Sequence, residues 1–263
     1  MVIFVFNYIS CFSPVLLAFL GGIFSFLITS FGSGIIFLFR NFKRDFMNAM
    51  LAISAGIMFS ASFFSLINPA LELCSKYKQN FFFTIVLGFV FGGFFIYLSN
   101  KFIDRIKFNN HKGLKESILL FSSITLHNIP EGLAIGVAFG NILYSGSLIA
   151  ALSLTMGIAI QNFPEGAAIS LPLARNGISP RNAFLIGSTS GIVEPIFAII
   201  GALLVLKINC ILAFILSFAA SAMIFVTVFE LIPESQSSEK KDLMALLFIL
   251  GFVFMMILDI LLG

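Results

Sequence analysis

The sequence predicts an all-α, polytopic membrane protein of eight transmembrane helices, and three observations carry that class. Of 263 residues, 59% are hydrophobic, 10% are charged and 35 are phenylalanine, with a mean hydropathy of +1.09, well beyond what a water-soluble domain carries. The apolar runs have the roughly 20-residue length that a helix needs to cross a bilayer, not the roughly ten-residue alternation of a barrel strand. The basic residues gather in every second connection, as membrane orientation requires. The chain from 1 to 263 is therefore expected to form a single transmembrane domain.

Polar clusters divide the chain into its elements. The first twenty residues contain neither Lys nor Arg and no small-residue cleavage site, so they are expected to stay attached as a tail leading into the first span. That span runs from about Val15 to Phe39 and stops at Arg40, Lys43 and Arg44. The second runs from about Phe46 to Leu71, and the third from about Phe81 to Ser99. A polar connection from about Asn100 to Lys112 follows, with Asp104, Asn109, Asn110 and His111, and reads as a solvated loop in which His111 has no site role. The fourth and fifth spans, about Leu114 to Gly140 and Leu143 to Ala174, are joined by a short uncharged turn, so they are antiparallel neighbours. The sixth, seventh and eighth run from about Asn182 to Leu206, Ile211 to Ile232 and Leu243 to Leu262. Connections after the odd-numbered spans hold twelve of the fifteen basic residues, while Lys76, Lys78 and Lys207 lie on the other side. The positive-inside rule then places both termini outside the cytoplasm in a cytoplasmic (inner) cell membrane. The same bias accounts for the basic residues without a nucleic-acid partner.

Two hexapeptides carry the chemistry. His127-Asn128-Ile129-Pro130-Glu131-Gly132 and Gln161-Asn162-Phe163-Pro164-Glu165-Gly166 lie 34 positions apart, each inside an apolar run. An ionised carboxylate within the bilayer costs a few kcal/mol or more and marks a substrate pathway, a proton relay or an ion site. At about 3.6 residues per turn, Glu131 falls about 40° from His127 and about 60° from Asn128, so one carboxylate can serve either neighbour. Glu165 has the same relation to Gln161 and Asn162, and two adjacent metal positions bridged by carboxylates follow. With the turn centred near Gly146, Glu131 lies level with Gln161 and His127 with Glu165. Pro130 and Pro164 each remove an amide donor and free the carbonyls of Leu126 and Ile160, which persist in a membrane only beside protein, water or an ion.

Other residues join this centre or stand apart from it. Glu194, before Pro195 in the sixth span, is expected as a ligand from a third helix. Glu230 lies near the cytoplasmic end of the seventh span, as a pathway exit or a snorkelling acid, with Glu234 solvated one turn further out and Asp259 interfacial. Met58 is a soft donor or core filler by composition. Gly132, Gly136 and Gly140, Gly88 with Gly92, and Gly187 with Gly191 recur at four-residue intervals and mark close helix contacts. Cys11, Cys74 and Cys210 lie near outer span ends without ligand spacing or a disulfide framework.

Taken together, HNxPEG in a fourth span, a second xNxPEG in a fifth, Glu-Pro in a sixth and ELIPE ending a seventh resemble the zinc/iron permease (ZIP) transporters, most of all their prokaryotic GufA-like branch. The similarity runs from about Met50, through Ser62-Phe63-Phe64-Ser65-Leu66-Ile67-Asn68-Pro69, to Glu234. The resemblance implies eight spans in an inverted 3+2+3 repeat, homodimers and a binuclear metal site. One position would use His127, Glu131, Gln161 and Glu165 with Met58, and the other Asn128, Asn162 and Glu194 with the shared glutamates. Ser65 and Glu230 are assigned to the pathway. The family's fourth and fifth helices move with the first and sixth against the remainder. A weak echo between Phe64-Ser65-Leu66-Ile67-Asn68 and Phe229-Glu230-Leu231-Ile232-Pro233 fits such a repeat.

The sequence departs from many family members at Gln161, where a second histidine is common. A carboxamide oxygen is a harder donor than imidazole nitrogen, so manganese and ferrous iron are expected beside zinc. The expected activity is uptake of these divalent cations by alternating access, weakened at acid pH because the donors bind only when deprotonated. No catalytic cofactor is implied. Two other classes use buried acids: a proton-coupled small-solute carrier and an intramembrane metallopeptidase, the latter lacking an HExxH motif here.

Overall fold

The computed structural model describes residues 12–38, 44–104, 112–143, 147–175, 177–207 and 211–262. Cys11, Cys210, His111 and the side chain of His127 lie outside the described residues. Among the described residues there are helices and no strands.

Helix α1 spans Pro14–Leu38. It begins where Ser13 Oγ accepts from the Leu16 amide at 3.2 Å and Pro14 supplies a first-turn residue that needs no amide partner. Helix α2 spans Arg44–Lys76, one turn beyond the apolar run that predicts it. Within it, Ser62–Ile67 widens into a π-turn in which the Asn68 amide bonds Phe63 O. Pro69 follows directly, and a proline cannot bond the carbonyl four residues back, which the wider turn accommodates. Helix α3 opens with a π-turn, Phe82–Val86, and continues as Leu87–Asp104. Helices α4, Lys112–Asn141, and α5, Leu148–Arg175, run unbroken through Pro130 and Pro164.

Helix α6, Pro180–Leu206, starts two residues before its apolar run because Ser179 caps it, and tightens to a 3₁₀ turn at Ser190–Ile192. Helix α7, Leu212–Ser235, contains a second interior π-turn, Thr227–Leu231, where the Ile232 amide bonds Thr227 O just before Pro233. Helix α8 is Lys241–Leu262.

Six of these helices, α1, α2, α3, α6, α7 and α8, are long and apolar enough to cross a membrane. Helices α4 and α5 contain 30 and 28 residues, and the amides and glutamates of their hexapeptides lower the hydropathy of both. Phe82, Phe83, Phe91 and Phe94 of α3 and Leu246, Ile249 and Leu250 of α8 are exposed, as suits side chains that face hydrocarbon.

The helices pack as two groups. Helices α4 and α6, α1 and α5, and α1 and α6 make extensive contacts, with α1 and α5 also touching α4 and α6; in the second group α2 packs on α8, α3 on α7, and α7 on α2. Within each group glycines let backbones meet. A Cβ on Gly132 would lie 2.6 Å from Glu194 O, and one on Gly88 2.8 Å from Phe214 O; Gly136 against Ala198, Gly166 against Thr29, Gly56 against Phe248, Gly92 against Phe218 and Gly251 against Ile53 are closer still. The four-residue glycine spacing therefore marks contacts as expected. Between the groups, α2 meets α5 and α7 meets α4, and Gly157 of α5 faces only the thioether of Met255 on α8. In the first turn and a half of α2, Asp45 lies 3.3 Å from Lys240 Nζ and accepts from Ser238 Oγ at 3.0 Å, and Asn48 Nδ2 donates to Ser237 Oγ at 3.1 Å, tying the start of α2 to the α7–α8 connection.

Candidate metal centre

The two hexapeptides meet where α4 and α5 cross. Gln161 Nε2 donates to Glu131 Oε1, the pairing expected if the α4–α5 turn sets these positions level. Asn128, Glu131, Gln161, Asn162, Glu165, Glu194 and Met58 are all fully buried. The carboxylates of Glu131, Glu165 and Glu194 lie within electrostatic reach of one another. Three helices thus bring the acids together, Glu194 entering from α6 directly after the 3₁₀ turn.

Each carboxamide is anchored by its nitrogen. Besides the Gln161 bond to Glu131, Asn162 Nδ2 donates to Ser25 Oγ at 3.0 Å and Asn128 Nδ2 donates to Ser190 O at 3.0 Å. Their oxygens are left over: Asn128 Oδ1, Gln161 Oε1 and Asn162 Oδ1 are buried with no hydrogen-bond partner, as are Glu131 Oε2 and Glu194 Oε2. A buried acceptor without a donor costs about 1–3 kcal/mol, and more when charged. Five such oxygens in one cluster amount to a negative lining that a cation satisfies and a water-free apolar core does not.

Two further helices shape this lining. From α1, Thr29 Oγ1 donates to Glu194 Oε1 at 3.4 Å and Ser33 Oγ donates to Gly166 O at 3.0 Å. From α2, Ser54 Oγ donates to Gln161 O at 3.0 Å, and Met58 lies one turn along from Ser54, about 40° away around the helix. Among the described residues no group of three or more His, Cys, Asp and Glu side chains is close enough to hold a metal by itself. The cluster is one of carboxylates and carboxamides, whose oxygen donors suit hard and borderline divalent ions.

A cavity of about 520 Å³ opens between the ends of α2, α4, α5 and α8 that the charge bias assigns to the outside. Ser65, Asn68, Glu72, Lys76, Asn141, Ser147 and Asp259 supply its polar lining, two acids against one base. Ser65 Oγ donates to Asp259 Oδ1 at 2.6 Å, so Asp259, near the outer end of α8, lines the cavity and is partly buried. At the other end, Glu230 accepts from Asn100 Nδ2 of α3 at 3.4 Å, and Glu234 is exposed. Cys74 is a buried free thiol whose Sγ donates to Gln79 O at 3.6 Å.

Sequence reasoning passes over Ser25, Thr29, Ser54 and Glu72, and places Asn68 in a family-like stretch without giving it a role. Ser and Thr within an apolar helix usually bond their own preceding turn, as Thr29 also does to Ser25 O at 3.2 Å, so their spacing carries no signal. Glu72 and Asn68 sit at the polar end of a span, where such residues are ordinary.

Comparison with known proteins follows the same line. The sequence model of the family described as ZIP Zinc transporter matches residues 107–259. Zinc transporter ZIP11 of Xenopus tropicalis is 31% identical, with 96% of this chain and 99% of that protein covered. Zinc transporter ZIPB of Bordetella bronchiseptica is 33% identical over 94% of this chain and 81% of its own length. Zinc transporter GufA of Myxococcus xanthus is 33% identical over 76% of this chain and 81% of its own.

Proposed function

The chain belongs to the ZIP zinc transporter family, whose members move metals and are not enzymes, and from that premise we propose that it takes divalent cations into the cytoplasm through the α4–α5–α6 cluster. The observation that carries this reading is the anchoring of three carboxamides by nitrogen, which leaves their oxygens and two carboxylate oxygens buried and without donors. Zinc is the cargo named for the relatives. Manganese and ferrous iron are included because Gln161 replaces an imidazole with a harder oxygen donor.

The binuclear arrangement assigns His127, Glu131, Gln161 and Glu165, with Met58, to one position, and Asn128, Asn162 and Glu194, with the shared glutamates, to the other. A hydrated ion enters by the cavity lined by Ser65 and Asp259, exchanges its waters for protein oxygens, and leaves past Glu230. The polar lining of that cavity supports the route. No covalent step is needed.

The architecture we propose has eight spans, α4 and α5 crossing with the six apolar helices, both termini outside, in a homodimer. An inverted 3+2+3 repeat is supported by the packing: exchanging α1, α2, α3 and α4 with α6, α7, α8 and α5 turns the α1–α5, α2–α8 and α2–α5 contacts into α6–α4, α7–α3 and α7–α4, all of which occur. The interior π-turns of α2 and α7 match under the same exchange. Alternating access then follows from one group of helices sliding on the other. In support, glycine-mediated backbone approaches stay within the groups among the described residues, whereas α5 and α8 meet through the flexible Met255.

Uptake of zinc and manganese into membrane vesicles tests the site. Glu131→Ala and Glu165→Ala are each expected to abolish uptake while the protein remains in the membrane. Undiminished flux in both would refute the assignment.

A further inference from the structure

Helix α1 contributes no carboxylate, carboxamide, histidine or methionine to the cluster, yet two of its hydroxyls reach the centre. Ser25 and Thr29 are four residues apart, hence on one face of the helix, and both are fully buried. Ser25 Oγ accepts from Asn162 Nδ2 at 3.0 Å. Thr29 Oγ1 shares its one proton between Glu194 Oε1 at 3.4 Å and its own helix's Ser25 O at 3.2 Å. The packing is arranged around this meeting: a Cβ on Gly191 would stand 3.0 Å from Glu194 Oε1 and 3.1 Å from Thr29 Oγ1, so the bare backbone of Gly191 leaves the room in which acid and hydroxyl touch.

We propose that Ser25 and Thr29 are positioning residues for the second metal position, fixing Glu194 through one oxygen and Asn162 through its nitrogen so that Glu194 Oε2 and Asn162 Oδ1 are presented to the ion. This rests on Glu194 and Asn162 being ligands. A carboxylate held at one oxygen keeps a single orientation, and a carboxamide held at nitrogen offers oxygen rather than its N–H face. Without the hydroxyls, Glu194 is free to turn and Asn162 to flip, and each loses its preorganisation. Among the described donors that belong to the first position alone, Gln161 and Met58 make no hydrogen bond with either hydroxyl, and that position is left intact.

The test uses the purified full-length protein in detergent, titrated with zinc and separately with manganese, with each binding phase identified by the variant that removes it. His127→Ala, which touches only the first position because Glu131 and Glu165 are shared, defines the first phase, and Glu194→Gln the second. Thr29→Val, which keeps shape and loses the hydroxyl, is expected to weaken the Glu194-dependent phase about tenfold, the effect of losing a hydrogen bond to a charged group, and to leave the His127-dependent phase unchanged. Thr29→Ser is expected to restore it, a rescue that a mere packing role for the threonine methyl would not give. Ser25→Ala is expected to act on the same phase. Retention of the Glu194-dependent phase in Thr29→Val, or equal weakening of both phases in Thr29→Val and Thr29→Ser, overturns the inference. If the parent protein shows metal binding insensitive to Glu194→Gln, it is the ligand assignment itself that fails, a distinct result that removes the inference with it. Should Thr29→Val not reach the membrane, Ser25→Ala decides by the same two phases.

Discussion

Gln161 stands where the first hexapeptide has His127, and its carboxamide both bonds Glu131 and offers an oxygen. Replacing it should change ion preference more than capacity. Gln161→His is expected to raise zinc uptake relative to manganese, measured by competition between the two labelled ions, because imidazole favours the ion later in the divalent series. At the cavity mouth, Asp259→Asn is expected to raise KM with little change in maximal rate, since Asp259 faces the entrance with Ser65 and not the carboxamide cluster. At this scale much of the centre is legible in sequence: acids, amides and histidine inside apolar runs have few other uses, and the Glu131–Gln161 pairing follows from helix periodicity and one short turn. Ser25, Thr29 and the Ser65–Asp259 bond are not legible. They depend on which helices lie side by side, and hydroxyls in a helix can satisfy themselves.

Elements meet most closely where glycine lets them. Gly136→Val is expected to lower the thermal stability of the detergent-solubilised protein, by about 1–3 kcal/mol or more, because the added side chain would drive into Ala198 O of α6. Gly157→Val should cost less, since its neighbour there is the movable end of Met255. Comparing the two melting temperatures checks the distinction between nested backbones and side-chain contact. The glycine intervals are readable in the chain; their partners are not, because any small-residue face fits several helices. Span boundaries also moved for local reasons, α6 starting at its serine cap and α2 extending past its apolar run. The π-turns before Pro69 and Pro233 are equally hidden, as proline announces a lost bond without saying how the turn absorbs it.

For the whole molecule, orientation is the property that charge encodes most simply. With Cys11, Cys74 and Cys210 replaced, a cysteine at Gln79 is expected to react with a membrane-impermeant maleimide in intact cells, and one at Glu239 only after permeabilisation; the reverse pattern would invert the topology. The arrangement of the two helix groups has one more consequence. The oxygens of Asn128, Glu131, Gln161, Asn162, Glu165 and Glu194 ride on α4, α5 and α6, while Met58 belongs to α2, across the seam. If one group is the carriage and the other the rail, the sulfur is a trackside fixture. A passing ion would meet it at one stop of the journey and be rid of it at the other.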